Sequence, residues 1–459
     1  MAQKRSSFSG KMGFILAAAG SAVGLGNIWR FPYLAAEYGG GIFLLTYIVL
    51  AFTLGFALLC TEIAIGRKTG KSVIDAYKTL DKRFSFLGWL GATVPIIILP
   101  YYSVIGGWVI KYFTHYVSGN GSDTAKIIEI DGAKNSFFDL FITDAYEPLL
   151  WFAIFLGLTA IIVLFGVEKG IEKVSKVMMP LLVLLTMGIA TYVLFMDGAI
   201  EGLVYYVKPD FAKFSFTTVL AAMGQLFYSM SIAMGIMVTY GSYMKKDINL
   251  ASSARSIAVF DFGIAFLAGL MVIPAVFAGG DSTQLSKGAG LMFATLPKVF
   301  EKMPGGHIIG ALFFLLVFFA AITSSISLME TIVSIFIDKK GWSRKTSCFV
   351  VLAISLVLGA LSALGYGTLS FISIKSIGFY FLEMFDFITN SVMMPIIAFI
   401  TCLFVGYILK PKFIIKEMNI GGKFTGEKFY VVMIKYIAPV CILAILVFSV
   451  LEGIGIVKV

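Results

Sequence analysis

Three short stretches place small and polar residues in the middle of runs that are otherwise apolar: GSAVGLGN at 20–27, QLFYSMSIAMG at 225–235 and AAITSS at 320–325. Each glycine of the first stretch is roughly 1 kcal/mol worse than alanine in a helix, so the chain should break there. Backbone groups freed by a break in an apolar medium lie unpaired, at several kcal/mol each, unless they line a cavity and bind something polar. Freed carbonyls suit a cation and freed amides suit a carboxylate. With the lone carboxylate of Asp261 in VFDFGIAFLAGL, the donor set is hydroxyl, amide, carbonyl and carboxylate oxygen, which matches a hard cation rather than a soft transition metal. Plainer readings stand beside this one. Glycines at such spacing also let helices pack closely, Ser and Thr back-bond to their own helix, and Asp261 can pair with a neighbouring helix and do no more than stabilise a bundle.

Other chemistry is poorly represented. His115 and His307 have no metal or nucleophile partner at useful spacing, and Cys60, Cys348, Cys402 and Cys441 sit in apolar segments without CxxC spacing. Neither His-based catalysis, nor a zinc site, nor a disulfide framework follows. Arg30, Glu37, Glu62, Glu330 and Asp386 lie inside apolar stretches, as Asp261 does, where a charge facing lipid costs roughly 2.5 to 3.5 kcal/mol or more. They must face a cavity or one another.

The elements that position these groups follow from hydropathy. Of 459 residues, 59% are hydrophobic and 14% charged, with a mean hydropathy of +0.94, more apolar surface than a soluble fold can bury. Apolar runs near 12–36, 42–66, 87–117, 148–167, 174–196, 216–243, 253–279, 307–337, 347–365, 378–409 and 429–456 read as about eleven membrane helices, an all-α polytopic chain forming one transmembrane domain over 1–459 with no separate soluble domain. The first run is a retained helix rather than a signal peptide, being too long, Gly-rich and marked by Arg30. A net charge of +10 would suggest nucleic acid or anionic lipid in a soluble protein. Here topology accounts for it, because Lys and Arg gather in the segments that share one side, which the positive-inside rule makes cytoplasmic together with the N-terminus. The acid-rich segment 119–147 then lies outside, as does Val459. Segment 280–305 is too polar to span, yet LMFATLPKVF has a helical period and predicts a short helix dipping into the outer vestibule. Spans 1 and 6 share an interrupted middle, which in transporters points to an internal repeat and its binding site.

The string GSAVGLGNIWRFPYLAAEYGGG, with GQLFYSMS, AAITSSIS and EMFDFITN in order along nearly the whole chain, resembles the neurotransmitter:sodium symporter family, in particular its bacterial amino-acid transporters. The resemblance implies the leucine-transporter fold in an eleven-helix form, since no twelfth helix follows. Helices 1–5 (12–196) and 6–10 (216–409) would be inverted repeats with broken helices 1 and 6, and 429–456 would be helix 11. It implies sodium-coupled symport of an L-amino acid by alternating access in a bacterial cytoplasmic (inner) membrane, by a monomer or homodimer, with no organic cofactor and no nucleic-acid partner.

Matched residue by residue, the resemblance implies two sodium sites. One has the carbonyl of Ala22 with Asn27, Ser229 and Asp261, completed by the substrate carboxylate; a ligand shared in this way is a direct origin of coupling. The other has the carbonyls of Gly20, Val23 and Ala320 with the hydroxyls of Thr323 and Ser324. The substrate carboxylate would meet the amides of Leu25 and Gly26 and the hydroxyl of Tyr102, and its ammonium the carbonyls around Ala22, Tyr228 and Ser229, in accord with the half-helix dipoles. Ile98, Tyr102, Tyr228, Ser231, Met234, Ser324 and Leu328 would line the side-chain pocket. Met234 stands where many relatives have Phe, and its flexible thioether can yield to a large ring, which implies bulky hydrophobic or aromatic substrates.

Arg30 and Asp386 match the family's outer gate, Arg5 and Asp338 its inner one, with Phe8 in place of the usual Trp nearby. Gly170 and Pro180 match a G-x9-P spacing at the start of span 5, where local unwinding would admit water to the second sodium site. Tyr47 and Gln225 match positions around the anion of chloride-dependent relatives. Asp261 stands where many of those have neutral Asn, so its fixed charge implies chloride-independent uptake, with proton antiport if it or a neighbour protonates on the return step. A proton-coupled carrier of the same fold for another small solute is the alternative within transport. An enzyme would need a constellation that the chain lacks, and a channel would not need an occluding site.

Overall fold

The computed structural model describes residues 6–130, 133–280, 290–373 and 379–453. Among them, nine uninterrupted helices are long and apolar enough to cross a membrane: Gly41–Thr69, Lys82–Val117, Glu147–Leu164, Val167–Leu194, Leu250–Ala278, Gly306–Lys340, Arg344–Leu364, Phe381–Ile408 and Glu427–Leu451. Lys11–Ala22 and Gly26–Glu37 form a tenth crossing, bent by 55° at the glycine-rich stretch. The helices Phe216–Ser229 and Ile236–Ser242 are each too short to span alone. The first packs on Gly41–Leu50 and the second on Phe56–Thr69, so together they run the length of a single long helix and make one further interrupted crossing. In chain order these are spans 1 to 11.

Burial sorts the spans. In span 3, 78% of the most apolar window is buried, against 33–39% in spans 4, 5, 9 and 11, whose remaining apolar side chains face outward, as lipid contact requires. Leu150, Ile154, Leu158 and Ile161 of span 4 show this as an exposed stripe at helical spacing. Spans 3 and 8 pack along one another at the centre, and the first half of span 1 lies against spans 5, 7 and 8.

The two interruptions meet. Ser21 of span 1 bonds to Ser231 of span 6, whereas Gly26 bonds to Gln225. Rising numbers in one thus face falling numbers in the other, and the broken spans cross antiparallel.

Two peripheral features bear on the sequence reading. A helix does occupy Leu296–Lys302, preceded by a wider turn at Leu291–Thr295. Phe293 packs edge-on against Trp108 of span 3 and accepts a 2.8 Å hydrogen bond on its carbonyl from the Tyr112 hydroxyl. The part of the predicted segment at 281–289 lies outside the described residues. The all-α reading misses a small antiparallel ribbon pairing Ile127–Ile130 with Ala133–Ser136. Its signal was in the chain as a β-branched run before Asp131-Gly132, a hairpin dipeptide.

On the face that carries most of the Lys and Arg, Arg67 is buried at the end of span 2 and binds Glu417, at 2.9 Å to the carboxylate and also to the carbonyl, and the Ile248 carbonyl at 2.8 Å. This ties span 2 to the short helix Pro411–Met418. Arg67→Met leaves the carboxylate buried with only Lys68 at 3.9 Å, and is expected to destabilise the fold by about 3–5 kcal/mol. Arg67→Met with Glu417→Leu is expected to recover most of that loss. Thermal unfolding in detergent measures both, and a double variant no more stable than the single one would contradict it.

Candidate functional site

At the span 1 break, Val23 turns extended (ψ 95°) and the chain re-enters as a widened π-type turn over Gly26–Arg30. The released groups find side chains instead of helix neighbours. The Leu25 amide donates to the Tyr102 hydroxyl at 3.2 Å, the Gly24 amide to Asn27 Oδ1 at 3.1 Å, and the Gly26 carbonyl accepts from Gln225 Nε2 at 2.9 Å. Both glycines are required by close approach. A Cβ on Gly24 would stand 2.6 Å from Ser324 Oγ, and one on Gly26 would stand 2.5 Å from the Tyr228 ring.

The span 6 break bends through positive φ at Ser231 (53°), Ala233 (64°) and Gly235 (71°). Left-handed conformations at non-glycine residues cost of order 1–3 kcal/mol each and persist only where the surroundings hold them. Glu62 supplies part of that hold: buried in span 2, it accepts the Ala233 amide at 2.7 Å.

Beside both breaks, Asp261 of span 7 is fully buried and accepts from three donors: Asn27 Nδ2 at 2.7 Å, the Tyr47 hydroxyl at 2.8 Å and the Ser229 hydroxyl. Asn27, Ser229 and Asp261 are therefore brought together as the resemblance implied, with Tyr47 as a fourth member. Gln225 lies on the Gly26 side, and its Oε1 has no hydrogen-bond partner among the described residues.

A second oxygen cluster joins span 1 to span 8. Ser324 Oγ lies 3.4, 3.1 and 3.5 Å from the carbonyl oxygens of Gly20, Ser21 and Val23. Thr323 Oγ1 donates to the carbonyls of Phe319 at 2.9 Å and Ala320 at 3.1 Å. Gly20 sits so close that a Cβ there would touch the Thr323 Cβ at 3.3 Å.

Between the clusters lies a tight cavity of about 30 Å³. Every residue expected at the substrate site lines it: Ala22, Leu25 and Gly26 of span 1, Ile98 and Tyr102 of span 3, Tyr228, Ser229, Ser231 and Met234 of span 6, and Ser324 and Leu328 of span 8. Asn27 opens onto it too. Sequence reasoning missed Ser21, Gly24, Ile236 and Ser327 on the same wall, and the role of Glu62. Helical spacing could have found Ser327, one turn beyond Thr323 and Ser324. Nothing in the chain pairs Glu62 with a residue 171 positions away.

The expected gates are placed as follows. Arg30 and Asp386 lie close enough to interact electrostatically, but no direct ion pair joins them among the described residues. The guanidinium sits 5.2 Å over the Tyr228 ring, while Asp386 Oδ1 accepts from Asn390 at 2.5 Å and from Tyr101 at 3.2 Å. Arg5 lies outside the described residues; its expected partner Asp338 accepts the Ser72 amide at 2.7 Å. Phe8 is fully buried and packs edge-on against Phe14, Tyr240 and Tyr243, an aromatic plug in place of the usual indole. Gly170 falls in a π-type turn, Val167–Glu172, and Pro180 lies within the helix that follows. Glu172 accepts from the Ser9 amide at 2.8 Å, which holds the N-terminal segment against the start of span 5.

Replacing Glu62 tests whether its oxygen caps the span 6 break. Glu62→Gln keeps an acceptor for the Ala233 amide and is expected to unfold near the wild-type temperature, whereas Glu62→Leu strands that amide and is expected to lose about 1–3 kcal/mol. Equal losses in both variants would show that the cap is not what holds the break.

The sequence profile of the sodium:neurotransmitter symporter family matches residues 5–121 and 142–455. An uncharacterized sodium-dependent transporter of Bacillus subtilis (strain 168) is 36% identical over 98% of this chain and 99% of its own length. The sodium- and chloride-dependent taurine transporter of Rattus norvegicus is 27% identical over 88% of this chain and 71% of its own. The crystal structure of MhsT in complex with L-phenylalanine superposes with a TM-score of 0.87 at 37% identity, covering 97% of this chain and all of that one. With its interrupted first and sixth spans crossing around a pocket, the chain belongs to the sodium:neurotransmitter symporter family: it is a multi-pass membrane transporter of the leucine-transporter fold, sodium-dependent, and not an enzyme.

Proposed function

We propose that the protein carries hydrophobic or aromatic L-amino acids by sodium-coupled symport and alternating access, without chloride, in the inner membrane of a bacterium with its N-terminus in the cytoplasm. One observation carries the reading: Asn27 and Ser229, hydrogen-bonded to the Asp261 carboxylate, also line the substrate cavity. A cation held there by Ala22, Asn27, Ser229 and Asp261 would touch the carboxylate of a bound amino acid, so each co-substrate stabilises the other's binding, and linkage makes the effect reciprocal. The amide of Leu25 and the Tyr102 hydroxyl, already bonded to each other, are the groups that would receive that carboxylate. Gly20, Val23, Ala320, Thr323 and Ser324 are the proposed ligands of a second sodium ion, all of them hard oxygen donors. Arg30 with Asp386, and Arg5 with Asp338, are the proposed gates on either side.

Chloride independence is supported by how Asp261 uses its neighbours. The Tyr47 hydroxyl, which would face an anion, donates to the carboxylate instead, and a second negative charge beside it would be repelled. The phenylalanine complex of MhsT supports an aromatic substrate by likeness, as does the apolar lining from Ile98, Met234 and Leu328.

In proteoliposomes, uptake of leucine, phenylalanine, tyrosine and tryptophan is expected to saturate, to require sodium, and to persist when gluconate replaces chloride. Glycine or alanine outranking the large substrates, or proton-driven uptake without sodium, would overturn the reading. Asp261→Asn removes a charged ligand worth about 1.5–3 kcal/mol. The sodium concentration for half-maximal uptake is therefore expected to rise by about 10- to 100-fold, with chloride partly restoring it.

A further inference from the structure

Far from the substrate cavity, an open groove of about 590 Å³ lies where span 4 turns into span 5, within the roughly 300–1,000 Å³ usual for small-molecule sites. Three lysines of span 5 line it, Lys169, Lys173 and Lys176. At steps of four and three along one helix they share a face, and like charges so spaced repel one another. Lys176 is already committed, with its Nζ 2.6 Å from Glu172, the carboxylate that also accepts the Ser9 amide. Among the described residues, Lys169 and Lys173 form no ion pair. Glu168 is the one other acid on the lining. Two lysines against one glutamate leave a single positive charge, which matches the single negative charge of a phosphodiester.

The surroundings of the groove say which phosphodiester it suits. Span 4 ends at Leu164 and span 5 begins at Val167, so the two helix ends lie at one level. Phe165, 68% exposed, stands on that corner and lines the groove. Lys173 directly precedes the apolar run 174–196, which places it at the hydrocarbon boundary. From Lys173 onward, Val177, Leu181 and Leu184 continue the same helix face and are exposed, as side chains that meet acyl chains are. One face thus runs from cations into an apolar stripe without interruption. A soluble anion would use the lysines alone, whereas a lipid would use both. We propose that this groove binds the headgroup of an anionic phospholipid, with Lys169 and Lys173 on its phosphodiester and its acyl chains along Val177, Leu181 and Leu184.

Native mass spectrometry of the detergent-purified full chain, titrated with phosphatidylglycerol or phosphatidylethanolamine, tests the site. Wild-type protein is expected to hold phosphatidylglycerol the more tightly, because the ammonium of phosphatidylethanolamine cancels its phosphate charge. A lysine near an anionic headgroup contributes roughly fivefold in affinity, so Lys169→Gln with Lys173→Gln is expected to weaken phosphatidylglycerol binding about 25-fold and to leave phosphatidylethanolamine unchanged. Lys412→Gln with Lys416→Gln removes the same charge from an exposed pair at the same spacing on Pro411–Met418, and is expected to change neither. Glycerophosphoglycerol, the same phosphodiester without acyl chains, is expected not to displace the lipid at equal concentration. Wild-type protein that holds both lipids equally overturns the proposal, whether or not the variants fold. Equal losses in the two double variants overturn it by making the effect one of net charge. Displacement by glycerophosphoglycerol overturns it by making the groove a site for soluble anions.

Discussion

Peptide groups released at the two breaks lie where neither water nor a neighbouring helical turn can satisfy them, and each neighbouring span answers with a side chain. Span 3 offers Tyr102 to the Leu25 amide, span 2 offers Glu62 to the Ala233 amide, span 6 offers Gln225 to the Gly26 carbonyl, and span 8 offers Ser324 to the carbonyls of 20–23. An unpaired peptide group in hydrocarbon costs several kcal/mol. Four spans are thereby drawn to one point, and the cavity is the space that they leave between them.

The same constraint explains why coupling is built in rather than added. Groups that can replace a helix bond can also bind a small polar solute, so a broken helix in a dry interior is already half of a binding site. Asp261 supplies the charge. Its three donors leave it satisfied, and a cation beside it would compete with them. Because the Asn27 and Ser229 that hold it also face the cavity, what occupies one place alters the other. Arg30 and Asp386, the proposed outer gate, have separate partners that they would exchange on closing. Buried pairs of this kind are near break-even in energy, which suits a contact made and broken in each cycle.

Much of this was legible in the chain. Apolar runs define spans because hydrocarbon thickness demands a minimum length, and glycines and hydroxyls in mid-span mark the breaks because they weaken helix locally. The lone carboxylate of Asp261 stood out for the same reason. The ribbon at 127–136 was overlooked because the outer segment was read by charge rather than by its Ile-rich run.

What the sequence determined alone, then, is what short-range chemistry can determine: where helices run, where they break, and which oxygen-bearing side chains lie near each break. Only the tertiary structure decided which distant residues meet. Glu62 reaches Ala233, Ser21 meets both Ser231 and Ser327, and Tyr47 donates to Asp261. Each of these contacts joins helices far apart in the chain, and their geometry depends on how antiparallel broken helices cross.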